Sequence, residues 1–241
     1  MDGLYFARSQ GGGAITSTDG PYIAKSQGRR CDYAYKITVF TPSNVFMKKN
    51  KLLYLHGFSS SPESHKAQLV MQYMREHGSL DRLICPQIPA VPEEAKIFLE
   101  QIVEETLQNH TLSFVGSSLG GYYATYLAEK YSGSAVLINP SVQPYVTLSA
   151  YLGENKFHFE GDVWEFKEEH IQQLKDMDVE TITQAERYLV LLQTGDETLD
   201  YREAELKYQN AHCIIEQGGD HGFVDLERHL ARIMQFSKIM K

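Results

Sequence analysis

Gly116-Ser117-Ser118-Leu119-Gly120 sets one serine between two glycines, directly after the apolar run Leu112-Ser113-Phe114-Val115 and directly before the helix-like Gly121-Tyr122-Tyr123-Ala124-Thr125-Tyr126-Leu127. A sharp turn from strand into helix strains its central residue and crowds the residues two before and two after it, and Gly116 and Gly120 relieve that crowding. Ser118 is therefore predicted to stand with its hydroxyl exposed above the strand ends. The helix that begins there points its positive end and unpaired N–H groups at the same spot, which suits a developing oxyanion.

A serine hydroxyl is a weak nucleophile and needs a base within hydrogen-bond reach, itself oriented by an acid. The strand Tyr188-Leu189-Val190-Leu191-Leu192 runs into Gln193-Thr194-Gly195-Asp196-Glu197-Thr198-Leu199-Asp200. Asp196 thus falls at a strand's carboxyl end, where the sites of open parallel sheets lie. Asp200 competes for the role but sits farther along, and is read as a cap for the helix after it. Cys213-Ile214-Ile215-Glu216 leads into Gly218-Gly219-Asp220-His221-Gly222-Phe223, a flexible loop that presents His221 as the base. An oxyanion hole is expected from the backbone N–H groups of Phe58, in the turn after Leu55-His56-Gly57, and of Leu119, with His56 structural and not a base.

The elements that must position these residues alternate. Candidate strands at 51–56, 82–86, 112–117, 134–138, 187–193 and 211–216 are separated by candidate helices at about 64–77, 92–108, 119–131 and 201–209, with a last helix at about 224–239. The fold class is α/β: a three-layer arrangement in which a mostly parallel sheet of about six strands is covered by helices on both faces. In the helix after Pro92, Ala95, Phe98, Leu99, Ile102, Val103 and Leu107 recur at helical spacing. Leu226, Leu230, Ile233 and Met234 form the expected buried stripe of the last helix. One connection is too long for a simple crossover. The segment from Asn139 to Glu186 is rich in aromatic residues and is read as a lid-like insertion at about 139–186, with Trp164 and Tyr145 as candidate substrate-binding residues. Its charges, among them Glu160, Asp162, Glu165, Glu168 and Glu169, are too many for a lipase's membrane-docking lid, and a modest acyl pocket is expected instead.

Composition bounds the classes. The 241 residues are 42% hydrophobic and 22% charged, as in a globular protein. A net charge of −8 argues against nucleic acid or anionic lipid as a partner. No run reaches the roughly 18 apolar residues of a membrane span, and the N-terminus lacks a secretory pattern, so a cytoplasmic location is expected. Cys31, Cys85 and Cys213 form neither a disulfide framework nor a zinc spacing, and are read as reduced core thiols. The nine histidines show no His-x-His or His-Glu-x-x-His, so neither a metal nor another cofactor is expected. Residues 1–46 carry a net charge of +2 and hold six of the 18 glycines. They are read either as a disordered leader, with a possible short edge strand at 35–40, or as upstream sequence translated in error before a start at Met47. The catalytic domain is expected at 47–241.

These residues resemble the α/β-hydrolase superfamily, and within it the YqiA/YcfP-type bacterial esterase-like family. The resemblance rests on Leu53-Tyr54-Leu55-His56-Gly57-Phe58-Ser59-Ser60-Ser61-Pro62 with Ser64-His65-Lys66-Ala67, on Gly116 to Ala124, on Asn139-Pro140, on Thr194-Gly195-Asp196 and on Gly218-Gly219-Asp220-His221. It spans residues 47–241 and matches least well over Asn155 to Asp178. It implies a six-stranded, mostly parallel sheet without the superfamily's usual first hairpin, and a serine carboxylic-ester hydrolase. The expected activity is cleavage of a small-molecule acyl ester or thioester of short to medium chain through Ser118, His221 and Asp196. The alternative is a protein of the same fold that binds a ligand or partner without turnover.

Overall fold

A computed structural model describes residues 48–156 and 163–240. The leader 1–46, its candidate strand at 35–40, the candidate start Met47 and the segment 157–162 lie outside the described residues.

The strands in chain order are β1 (Asn50–Leu55), β2 (Leu83–Ile84), β3 (Thr111–Ser117), β4 (Ser134–Ile138), β5 (Gly153–Lys156), β6 (Val163–Phe166), β7 (Tyr188–Gln193) and β8 (His212–Glu216). Six of them make one sheet in the order β2-β1-β3-β4-β7-β8, and every pairing in it is parallel. The helices are α1 (His65–Glu76), α2 (Pro92–Asn109), α3 (Leu119–Tyr131), α4 (Pro144–Thr147), α5 (Glu168–Lys175), α6 (Tyr201–Lys207) and α7 (Leu230–Phe236).

The strands are apolar almost throughout because both faces are covered. Leu53, Leu55, Phe114, Leu137, Val190 and Leu192 point to one side, where they pack with Ala95, Leu99 and Val103 of α2 and Tyr123 and Leu127 of α3. Their alternates Leu52, Tyr54, Val115, Val136, Ile138 and Leu191 face Val70 and Met74 of α1 and Ile233 and Met234 of α7. The two-residue period of the strands thus feeds two separate cores, one per face.

The chain leaves β1 for β2 on one side and then crosses to β3 on the other. A crevice opens at the carboxyl ends of strands where the direction of winding reverses in this way. The register Leu55↔Gly116 brings the end of β1 beside the end of β3.

Three expectations need correction. The strand at 82–86 is reduced to Leu83–Ile84, with a 3-10 turn over Leu80–Arg82 ahead of it; Pro86, which has no N–H to donate, breaks the edge strand. The helix at 201–209 ends at Lys207. The helix at 224–239 is a 3-10 turn over Leu226–His229 followed by α7, and Asp225 and Lys238 take left-handed φ values of 57° and 53°. Leu226, Leu230, Ile233 and Met234 are all buried as expected, but the tail is drawn off the helix by side chains that take its carbonyls. Ser113 Oγ donates to Ser237 O at 3.2 Å, Arg82 Nη2 donates to Lys238 O at 3.0 Å, and Asn50 Nδ2 donates to Ser237 O.

The long connection after β4 is built, not featureless. It holds α4, the antiparallel hairpin β5–β6 and α5. Phe166, Leu174 and Met177 are buried in the core that α2 and α3 also share.

Candidate active site

Ser118 occupies the turn between β3 and α3 with φ 56° and ψ −123°, a conformation that costs a residue with a side chain of order 1–3 kcal/mol. Neighbouring backbone holds it there. Ser118 N donates to Ile138 O at 3.1 Å, while its carbonyl accepts from Gly121 N at 2.9 Å and from Ser141 N at 3.0 Å. The flanking glycines are required by contact: a Cβ on Gly116 would collide with the Gly120 carbonyl, and a Cβ on Gly120 with the carbonyl of Leu55 at the end of β1.

Asp196 and His221 meet this serine from the loops after β7 and β8, the two strands beyond β4 in the sheet. His221 Nε2 lies 3.0 Å from Ser118 Oγ, and His221 Nδ1 lies 2.8 Å from Asp196 Oδ2 and 3.0 Å from Oδ1. The carboxylate accepts only, so Nδ1 carries the proton and Nε2 offers its lone pair to the serine hydroxyl. Asp196 is itself fixed, since its Oδ1 accepts from Thr198 N at 2.9 Å and Leu199 N at 2.8 Å, and its side chain is 2% exposed. Asp200 turns away from the imidazole to cap α6, accepting from Arg202 N at 3.0 Å and pairing with the Arg202 guanidinium.

The turn after β1 completes the near side. Gly57 lies so close to Ser118 that an added Cβ would sit 3.3 Å from the serine Cβ. The N–H of Phe58 has no protein acceptor among the described residues, and Leu119, the first residue of α3, has the kind of N–H that a helix leaves unpaired. His56 holds this turn in place: Ile88 N donates to its Nε2 at 3.0 Å, and its Nδ1 is 3.0 Å from Gly57 O. That pattern requires the neutral ring, and burial pushes His56 below the ordinary imidazole value.

A narrow crevice runs from here between Phe58, Leu119, Tyr123, Ile88, Ala90 and Trp164. The Trp164 ring packs 5.5 Å from that of Phe58, and its Nε1 is 3.3 Å from Ser59 Oγ. Tyr145 stands elsewhere, its hydroxyl donating to Asp178 Oδ2 at 2.9 Å, and does not line the crevice. A wider cavity of about 480 Å³ also borders Trp164, with Glu94, Glu165, Glu169 and His170 around it, but contains none of Ser118, Asp196 or His221. The lining of the narrow crevice does not include those three residues either, but it does include Gly57 and Leu119, the serine's neighbours.

Several residues that hold the site escaped the sequence reasoning. The His221 loop, glycine-rich and with positive φ at Gly218 and Gly219, is tied down by side chains from three other elements. Lys66 Nζ donates to His221 O at 3.0 Å, and His221 N donates to Glu197 Oε2 at 3.0 Å. Asn139 Nδ2 donates to Asp220 O at 3.0 Å, and Gln193 Oε1 accepts from Asp220 N at 3.2 Å and Val224 N at 2.8 Å. Backbone N–H groups of its own residue and of His221 hold the Glu197 carboxyl below the usual carboxylate range. Burial lowers the Lys66 ammonium's value, against the pull of Asp196, Asp220 and Glu197. Lys66 and Asn139 lie in short stretches that the family resemblance includes, a signal that pointed to them without saying why.

Among the described residues no three His, Cys, Asp or Glu side chains are grouped to hold a metal ion, and no helix is long and apolar enough to cross a membrane. Two kinds of likeness bear on the chain. Among solved structures, alpha/beta hydrolase domain-containing protein 10 from mouse superposes with a TM-score of 0.61 at 15% identity, covering 78% of this chain and 89% of that one. Est1E from Butyrivibrio proteoclasticus, solved with ferulic acid bound, gives 0.55 at 13% identity over 82% of this chain and 90% of its own. The fold is therefore that of the α/β hydrolases. By sequence, the UPF0227 protein YcfP of Salmonella gallinarum is 25% identical over 198 residues, 78% of this chain and 99% of that protein. The profile of the uncharacterised protein family UPF0227 matches residues 51–238. With a match that runs from the first strand of the sheet past the end of α7, the chain belongs to the UPF0227 family.

Proposed function

We infer that the protein is a serine hydrolase that cleaves small-molecule carboxylic esters, or acyl thioesters, of short to medium acyl chain. The observation that carries this reading is the unbroken chain of hydrogen bonds from Asp196 through His221 to Ser118. It stands at the carboxyl ends of the strands, beside the narrow, largely apolar crevice of Phe58, Leu119, Tyr123 and Trp164. That Est1E, of the same fold, was solved with ferulic acid bound supports a carboxylic ester as the substrate class.

On this reading Ser118 Oγ attacks the ester carbonyl while its proton passes to His221 Nε2. The carbonyl electron pair moves onto oxygen, which the N–H groups of Phe58 and Leu119 receive. Collapse of that intermediate breaks the bond to the leaving alcohol or thiol, which takes the proton from Nε2, and an acyl ester remains on Ser118. Water then attacks the acyl carbon and gives a proton to Nε2. The second collapse breaks the bond to Ser118 Oγ, which recovers that proton as the acid leaves. Asp196 takes no proton; it fixes the tautomer and pairs with the imidazolium. Trp164, beside Phe58, forms one wall of the acyl pocket.

A fluorophosphonate probe tests this directly. Labelling of the wild type, with no labelling of Ser118→Ala, is expected. Equal labelling of the two, or none of either, overturns the reading and leaves a protein that binds without turnover.

A further inference from the structure

The loop that carries His221 lies between glycines and cannot fix an imidazole by itself. Its backbone is gripped at the histidine from both sides: Lys66 Nζ donates to the carbonyl, and the N–H donates to Glu197 Oε2, each at 3.0 Å. The two gripping side chains come from different elements, α1 and the segment after β7, and carry opposite charges.

Lys66 is placed against local preference. It stands in the first turn of α1, whose first turn holds no acidic residue, and the positive end of a helix disfavours a cation there. It is also half-buried, at a cost in solvation. A lysine kept only for solubility would avoid the burial cost by pointing into solvent.

Resting on the serine-hydrolase reading, we propose that Lys66 and Glu197 are positioning residues, a charged clamp on the backbone of His221 that fixes the imidazole toward Ser118. Neither side chain lines the crevice, so the clamp acts on turnover and not on substrate binding.

The test is kcat and KM on a p-nitrophenyl ester for the wild type, Lys66→Met, Lys66→Arg and Glu197→Ala. Lys66→Met, which removes the donor to the His221 carbonyl, is expected to lower kcat by about tenfold, since small misplacements of a reacting group are costly, with KM unchanged. Lys66→Arg keeps cation and donor and recovers most of the loss, and Glu197→Ala, which removes the acceptor of the His221 N–H, lowers kcat as Lys66→Met does. A kcat unchanged in Lys66→Met, a loss carried by KM, or no recovery in Lys66→Arg overturns the proposal. Should Lys66→Met fail to fold, Glu197→Ala decides by the same split between kcat and KM.

The same four proteins are compared by NMR at the His221 ring, at one pH, with the signal assigned by its absence from His221→Asn. This readout needs no turnover, and loss of the clamp is expected to shift or broaden the ring signal in Lys66→Met and Glu197→Ala. If no ester is cleaved and no fluorophosphonate label appears, the hydrolase reading fails, whereas a ring signal equally sharp and unshifted in all four proteins sinks the clamp alone.

Discussion

Asp196 and Asp200 stand four residues apart on one loop and do different work, which makes them a controlled pair. Asp196→Asn keeps the volume but presents an amide to His221 Nδ1 and disturbs the tautomer, so kcat is expected to fall by roughly 10⁴. Asn is as good a helix cap as Asp. Asp200→Asn should therefore leave kcat within about twofold, the ordinary result of a surface change. Equal losses in the two variants would reassign the acid. His56 makes a different prediction, about stability. Its ring is buried, accepts from Ile88 N and is depressed below the ordinary imidazole value. As pH drops below about 6.5 the unfolded chain takes up a proton that the folded one refuses, so stability falls with acid, by at most about 1.4 kcal/mol per pH unit for this one group. His170, buried and depressed by the same cause, adds in the same direction. Urea midpoints at several pH values should show the slope, and His56→Asn, which cannot titrate, should be less stable at neutral pH but flatter toward acid.

At the scale of elements, on the serine-hydrolase reading, the hairpin β5–β6 is expected to limit the size of what binds. Trp164, on β6, stands against Phe58, and each methylene of an acyl chain that fits beside it adds at most about 0.8 kcal/mol of binding. Activity on p-nitrophenyl esters is expected to climb over the first few carbons and then fall. Trp164→Ala should move the optimum to longer chains; a profile that does not change would remove the hairpin from recognition. How far elements could be read from sequence follows from how local their causes are. The elbow around Ser118 was legible because strand, glycines and helix are consecutive, and Asp196 and His221 because each follows an apolar run. Trp164 and Tyr145 looked alike, both aromatic and both in the long insertion, yet one lines the crevice and the other bonds Asp178. Nothing in their neighbours along the chain separates them. Lys66 and Gln193 act on a loop far away in sequence, through contacts that no periodicity encodes. The last helix was read too long because its apolar spacing continues while Asn50, Ser113 and Arg82, distant in the chain, pull the tail's carbonyls away.

Those same contacts join the two ends of the described fold at the whole-molecule scale. Asn50, at the start of β1, donates to Ser113 Oγ at 2.8 Å and to the Ser237 carbonyl, and Arg82 reaches the carbonyls of Lys238 and Ile239. All of this lies where the strands begin, at the opposite end of the sheet from Ser118. Asn50→Ala leaves buried groups unpaired and is expected to cost about 1–3 kcal/mol in urea unfolding, with kcat and KM unchanged in the folded fraction. A change in kcat would mean that the seam is felt at the far end of the strands.

The contact between Gly120 and the end of β1 has a consequence for how such variants divide. The end of β1, just before the turn that holds Phe58, and the helix that begins at Leu119 touch there main chain to main chain, with no side chain interposed. Their spacing is set by atoms that every amino acid shares, so repacking of either core has little leverage on it. Trimming Leu53 or Val115 should lower the free energy of unfolding by the usual amount for a buried aliphatic residue, about 2–5 kcal/mol for Leu→Ala, while molecules that remain folded turn over substrate at the parent rate. Robustness and rate would then be separately adjustable in this protein: residues on the two cores set how long it survives, and a few backbone approaches around Ser118 set how fast it works.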